Sequence, residues 1–179
     1  MFRFDIIKRS KKSRARKGKI YTAHGVIDTP NFIPVGTQAT VKSLTPQMLR
    51  DSGVQIILSN TYHLFLRPGP EIIKRAGGLQ KFTGWNGPII TDSGGYQIFS
   101  LSDIRKVTEE GVTFKSHHDG SKKMLTPEDV VLIQQDMGSD IMLPLDECVE
   151  YPCDYKTAKK AVERTTRWQE RAKKVPDKE

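Results

Sequence analysis

Cysteine is scarce. Cys148 and Cys153 are the only two in 179 residues. They allow at most one disulfide, and their spacing is not that of a zinc-ligand hairpin. The expected setting is therefore the reducing cytoplasm. Long apolar runs are also missing. No window holds 18 apolar residues, so no membrane span is expected, and the start, Met1-Phe2-Arg3-Phe4-Asp5-Ile6-Ile7-Lys8, has no secretion-signal run. There is no low-complexity linker and no internal repeat. Hydrophobic residues at 36% and charged residues at 28% exclude a disordered or fibrous chain. The length suits one domain, or part of a larger one.

Acidic residues are few where basic ones gather. The net charge is +8. Residues 1–20 hold nine basic side chains against Asp5 alone, and the remaining residues balance. A second basic region, 156–174, sets eight cations against Glu163 and Glu170. Two basic blocks on a neutral body suit a polyanion, because neutralised phosphates release counterions. A solubilising tail and a solvated helix face would read the same from charge alone.

The chain opens with a loosely alternating Phe4–Lys8, a basic loop at Ser10–Gly18 and a returning strand at 19–23. Residues 1–30 are thus expected to form an antiparallel hairpin or small sheet, closed by Thr29-Pro30. A rhythm follows. Apolar strands are expected at 31–35, 54–58, 88–90 and 141–143. Helices start at Thr45-Pro46, Pro70 and Thr126-Pro127, and an amphipathic helix carries Ala158, Ala161, Val162, Thr165, Trp168 and Ala172 on its apolar side. Residues 102–125 break the rhythm with a hairpin around Glu110-Gly111. Short continuous strands alternating with capped helices imply a parallel sheet with helices outside, and sites in such folds lie at the C-terminal strand ends.

The densest polar cluster is Thr91-Asp92-Ser93-Gly94-Gly95-Tyr96-Gln97. It offers a carboxylate at a strand end, two glycines that let backbone N–H groups approach a ligand, and a ring for stacking. A plain turn with a capping Asp or Ser fits the same letters. Asp146-Glu147-Cys148 occupies the equivalent place after the fourth strand. Two carboxylates at one mouth can do acid–base work or grip a donor-rich edge such as that of guanine. Ser59–His63 adds hydrogen-bonding groups at the second strand end. Asp-Ser-Gly-Gly also occurs at the nucleophile of chymotrypsin-like proteases, but those are all-β and this chain alternates β and α. His24, His63, His117 and His118 show no ligand spacing; a satisfied structural role is expected for each, with 115–123 an exposed tip.

Four segments in order, Pro34–Lys42, Ser59–Leu64, Thr91–Gln97 and Leu145–Cys148, resemble the tRNA-guanine transglycosylases (queuine tRNA-ribosyltransferases) of bacterial type. The resemblance spans essentially the whole chain. It implies an α/β fold of the (β/α)8 TIM-barrel type, of which this chain holds about the first four βα units, plus the N-terminal hairpin, as a single partial domain over 1–179. It implies an enzyme, a pentosyltransferase that replaces the anticodon wobble guanine of tRNA with a 7-deazaguanine, the aminomethyl precursor of queuine, through a covalent enzyme–tRNA intermediate. By the same resemblance Asp92 is the catalytic proton acceptor, Asp92, Ser93, Gly94, Gly95 and Tyr96 line the base pocket, and Asp146 holds the base's donor edge.

The implied partners are tRNA and the guanine or 7-deazaguanine base, with no membrane and with homodimers among full-length members. A barrel of this kind needs ~250 residues. The family's ribose-attacking aspartate and its Cys/Cys/Cys/His zinc site have no match here. The expectation is therefore an N-terminal portion, inactive alone, with no metal or cofactor of its own and zinc in the missing C-terminal part. A non-catalytic RNA-binding remnant is the alternative, and a barrel hydrolase using Asp92 and Asp146 a weaker third.

Overall fold

The computed structural model describes residues 2–101 and 105–178. The N-terminal segment is a three-stranded antiparallel sheet, β1 (Arg3–Arg9), β2 (Arg16–Thr22) and β3 (Gly25–Thr29), in that spatial order. The expected hairpin is present, and a third strand, reached through a tight turn, extends it. Ile27 of this sheet is 2% exposed and helps seal the body beneath.

The body alternates strand and helix. In chain order it comprises β4 (Val35–Gly36), α1 (Pro46–Asp51), β5 (Ile57–Ser59), α2 (Thr61–Leu66), α3 (Pro70–Arg75), α4 (Gly78–Thr83), β6 (Ile89–Thr91) and α5 (Gly95–Leu101). An antiparallel insertion follows: β7 (Arg105–Val107), β8 (Val112–Lys115) and β9 (Lys122–Leu125). The start of the expected 102–125 hairpin, residues 102–104, lies outside the described residues. The chain then returns through α6 (Pro127–Met137), β10 (Ile141–Met142) and α7 (Tyr155–Ala172).

Strands β4, β5, β6 and β10 pair in parallel, in the order in which they occur in the chain. This is a mixed α/β fold with a parallel sheet, built by successive crossovers through helices. Ile57 and Ile89 are 2% and 0% exposed, and join Tyr62, Leu64, Ile73, Leu79, Ile98 and Trp168 in one core.

Helix starts follow the sequence closely. Thr45 caps α1 by accepting from the Met48 N–H, and Thr126 forms a reciprocal capping box with Asp129 at α6. Three short helices were not expected: α2, α4 and α5. Each follows its strand or helix almost at once, so its residues read as loop. β4 and β5 are shorter than the expected 31–35 and 54–58, because pairing begins only near the C-terminal end of each of those runs, whereas β6 keeps its expected length one residue later and β10 pairs from the start of its run but stops at Met142. Phe32 and Val35 are 81% and 57% exposed, so the first run lies at an unpaired sheet edge rather than in the core. On α7, Trp168 and Ala161 are buried as expected, but Val162 is 66% exposed and belongs to the outer face.

Candidate active site

The C-terminal ends of β5, β6 and β10 bring together three loop segments. Asp92 follows β6, and its backbone N–H donates to Ser59 O of the neighbouring strand at 3.3 Å. Its side chain accepts from Asn60 Nδ2 at 2.5 Å and from the Thr61 backbone N–H at 3.1 Å. The Thr61 hydroxyl donates to the Asp92 carbonyl. Asn60 is also the N-cap of α2, accepting from the His63 N–H at 3.1 Å. One amide thus starts a helix and fixes the carboxylate beside it. Burial pushes the Asp92 carboxyl above its ordinary range, against the hydrogen bonds from Thr61, Asn60 and Gly94; the nearby Asp146 charge raises it further.

Asp146 follows β10. Its Oδ1 accepts from Ser93 Oγ at 2.6 Å, and its Oδ2 lies 3.6 Å from Cys148 Sγ. Ser93 Oγ accepts in turn from the Gly95 N–H at 3.1 Å. The two carboxylates are therefore joined through the residues between them in the Asp92–Gly95 loop. Cys148 is pushed up to about 11, by burial first and then by Asp146, so it is a neutral thiol and no nucleophile at physiological pH.

The two glycines are sterically required. Gly94 has φ +76°, and a Cβ there would lie 2.8 Å from Tyr62 Cβ. A Cβ on Gly95 would lie 2.5 Å from Asp146 Oδ1 and 2.7 Å from its carbonyl oxygen. The loop thus closes onto α2 on one side and onto Asp146 on the other. Tyr96, next in line, keeps its ring 62% exposed, 6.3 Å from Phe99, available to stack on a planar ligand. The crevice behind the loop, between Gly95, Phe99, Arg105 and Cys148, measures about 20 Å³, room for one water and not for a base.

Every site residue expected from the sequence falls in this one region: Asp92, Ser93, Gly94, Gly95, Tyr96 and Asp146. Sequence reasoning missed the part played by Asn60 and Thr61. Their signal was present in Ser59–His63, but it read as a loop rather than as a cap. It also missed an aromatic group at the edge of the site. Tyr62 Oη is 2.7 Å from His117 Nδ1, the His117 and His118 rings lie 4.1 Å apart, and His63 meets His117 edge-on at 5.6 Å. Residues 115–123 are therefore not simply an exposed tip, since His117 docks the insertion on α2. His63 Nδ1 is buried with no partner among the described residues, so that histidine is not fully satisfied.

The second basic region also differs from expectation. Arg164 donates to Glu147 at 2.6 Å, Arg167 to Glu109 at 2.6 Å, and Arg171 to Glu128 at 2.7 and 2.6 Å. The arginines of α7 fasten it to the insertion and to α6, rather than standing free for phosphates. Among the described residues no three His, Cys, Asp or Glu side chains group to hold a metal ion.

The family model described as queuine tRNA-ribosyltransferase matches residues 10–179. The chain belongs to this family. Curated queuine tRNA-ribosyltransferases agree. That of Desulforudis audaxviator is 59% identical over 95% of this chain and 46% of its own length. That of Acetivibrio thermocellus is 58% identical over 96% of the chain and 46% of its own length, and that of Symbiobacterium thermophilum 53% over 96% and 43%. The chain thus spans about half the length of the curated queuine tRNA-ribosyltransferases it matches. Among the described residues no helix is long and apolar enough to cross a membrane.

Proposed function

We propose that the protein of which this chain forms the base pocket exchanges the wobble guanine of a tRNA anticodon for a 7-deazaguanine base. The observation that carries this reading is the joined pair of carboxylates, Asp92 and Asp146, at neighbouring strand ends around the Gly94-Gly95 turn. A guanine-like base presents N1–H and the 2-amino group as adjacent donors. Asp146, set by Ser93 and Cys148, accepts from that edge, while Tyr96 stacks on the ring. The parallel sheet of four strands is then the first half of a (β/α)8 barrel, with the site at its C-terminal face.

The chemistry is a double displacement at ribose C1′. An aspartate outside this chain attacks C1′ and the bond to guanine N9 breaks; N9 keeps the electron pair and takes the proton of Asp92, giving a covalent tRNA–enzyme ester and an Asp92 carboxylate. N9 of the incoming base then attacks C1′, the ester carboxylate leaves, and the N9 proton passes to Asp92. Burial suits Asp92 to that task, because a base with a raised pKa takes a proton more readily. The reading places the enzyme in the cytoplasm as a homodimer acting on tRNA. The decisive experiment incubates a protein of the relatives' length, carrying these 179 residues, with labelled guanine and unmodified tRNA. Incorporation at the wobble position alone is expected. Binding of tRNA without incorporation would instead make the chain part of a non-catalytic RNA-binding protein.

A further inference from the structure

We infer that the tip of the β1–β2 hairpin is a docking surface for the phosphate backbone of RNA, separate from the candidate active site. The inference rests on the reading of tRNA as the partner and assigns where its backbone is held.

Seven of the ten residues 8–17 are cationic and all ten are exposed. The ladder sets Lys8 directly opposite Lys17 and Arg9 directly opposite Arg16. Like charges in opposed positions destabilise a hairpin, so the free fold gains nothing from this arrangement. A bound polyanion reverses the sign of the term. The acids of the same sheet do not relieve it. Asp5 pairs with Arg3 at 3.1 Å, and Asp28 with Lys19 at 3.6 Å, both away from the tip. No cation of residues 8–17 joins an ion pair among the described residues. The contrast with α7 is direct, since its three central arginines are held by Glu147, Glu109 and Glu128.

The tip also closes on its own backbone and side-chain hydrogen bonds. The Ser10 N–H donates to Ala15 O at 2.9 Å, and Ser10 Oγ accepts from the Lys12 N–H at 3.1 Å. Lys8, Arg9, Lys11, Lys12, Arg16 and Lys17 surround one open hollow floored by Ser10, Ala15 and Pro30. A lipid surface would call for apolar residues to insert. Residues 8–17 hold none beyond Ala15; of the exposed apolar residues of this edge only Ile7 adjoins them, while Phe2, Phe4 and Ile6 lie farther toward the other end of β1, too little for insertion into a bilayer. Cations without apolar anchors match a phosphate backbone, contacted without regard to sequence.

The test measures binding of a labelled, unmodified tRNA to the 179-residue chain by fluorescence anisotropy across a salt series. Three variants accompany the parent: K11Q/K12Q/R14Q at the tip, its charge-preserving counterpart K11R/K12R/R14K, and K159Q/K160Q on α7. Losing three phosphate contacts should flatten the log–log salt slope by about 2, and weaken binding roughly 10–100-fold near ~0.1 M salt. The charge-preserving variant should bind as the parent does, and the α7 variant should stay within about twofold of it. A tip variant that binds like the parent, or an α7 variant that loses as much, overturns the assignment. So does a parent chain that ignores tRNA, whether or not it adheres to phosphatidylserine vesicles. Tip-dependent binding in a longer protein that exchanges no guanine would leave this inference standing and sink the catalytic one. Tip-independent binding with exchange intact would do the reverse.

Discussion

Asp92 receives hydrogen bonds from Asn60 and Thr61, yet its carboxyl stands above the ordinary carboxylate range because burial outweighs them. The raised value means that the folded protein binds this proton more tightly than the unfolded chain does. Asp92 therefore favours the fold below the unfolded pKa, and that contribution is lost as pH rises through the folded one. The position is kept at a cost at neutral pH, as expected of a group placed for proton transfer. We predict that the Asp92 carboxyl carbon, followed by NMR, titrates above the ordinary 3.8, and that Asp146→Asn moves its midpoint down by removing a like charge. A midpoint at or below 3.8, or one that moves up in the variant, would contradict the geometry. Asp92 and Asp146 were legible in the sequence because each follows an apolar run that could only be a strand. Asn60 was not, since an asparagine one residue after a strand reads equally as turn or cap, and only the neighbouring strand shows which carboxylate it meets.

At the next scale, polar ties fix how the elements meet. The Asp140 side chain is fully buried at the start of β10. It accepts from the Ile89 N–H at 3.0 Å, from Gln80 of α4 at 3.1 Å, and from the His24 backbone N–H at 3.2 Å, with His24 Nδ1 2.9 Å away. One carboxylate thus joins the N-terminal sheet, α4, β6 and β10. Removing it leaves several donors unsatisfied, so Asp140→Ala should cost about 2–4 kcal/mol in denaturant unfolding. A loss below about 0.5 kcal/mol would show that water replaces it freely. Nothing in Gly138-Ser139-Asp140 announced this role, because its partners lie far away in sequence. Gln134 is similar: it reads as a helix-surface amide, but it is fully buried and donates to Leu143 O while accepting from Thr91. Caps such as Thr45 and Thr126 were legible because their partners lie within one turn.

Over the whole molecule, four parallel strands in chain order place their C-terminal ends side by side, and the candidate site uses three of them. The outer strands β4 and β10 each have one neighbour among the described residues. The order of strands and helices was legible from the rhythm of apolar runs. Short helices such as α2 and α5 were not, because they begin within the glycine and asparagine segments that mark strand ends. The central claim is that this sheet end handles the exchanging base and that Asp92 takes its proton. The most direct test compares Asp92→Asn with the parent sequence, in a protein of the relatives' length, for incorporation of labelled guanine into tRNA, with tRNA affinity measured in parallel. The account predicts incorporation reduced by about 10²–10⁴-fold with tRNA binding unchanged. Incorporation at the parent rate would contradict it.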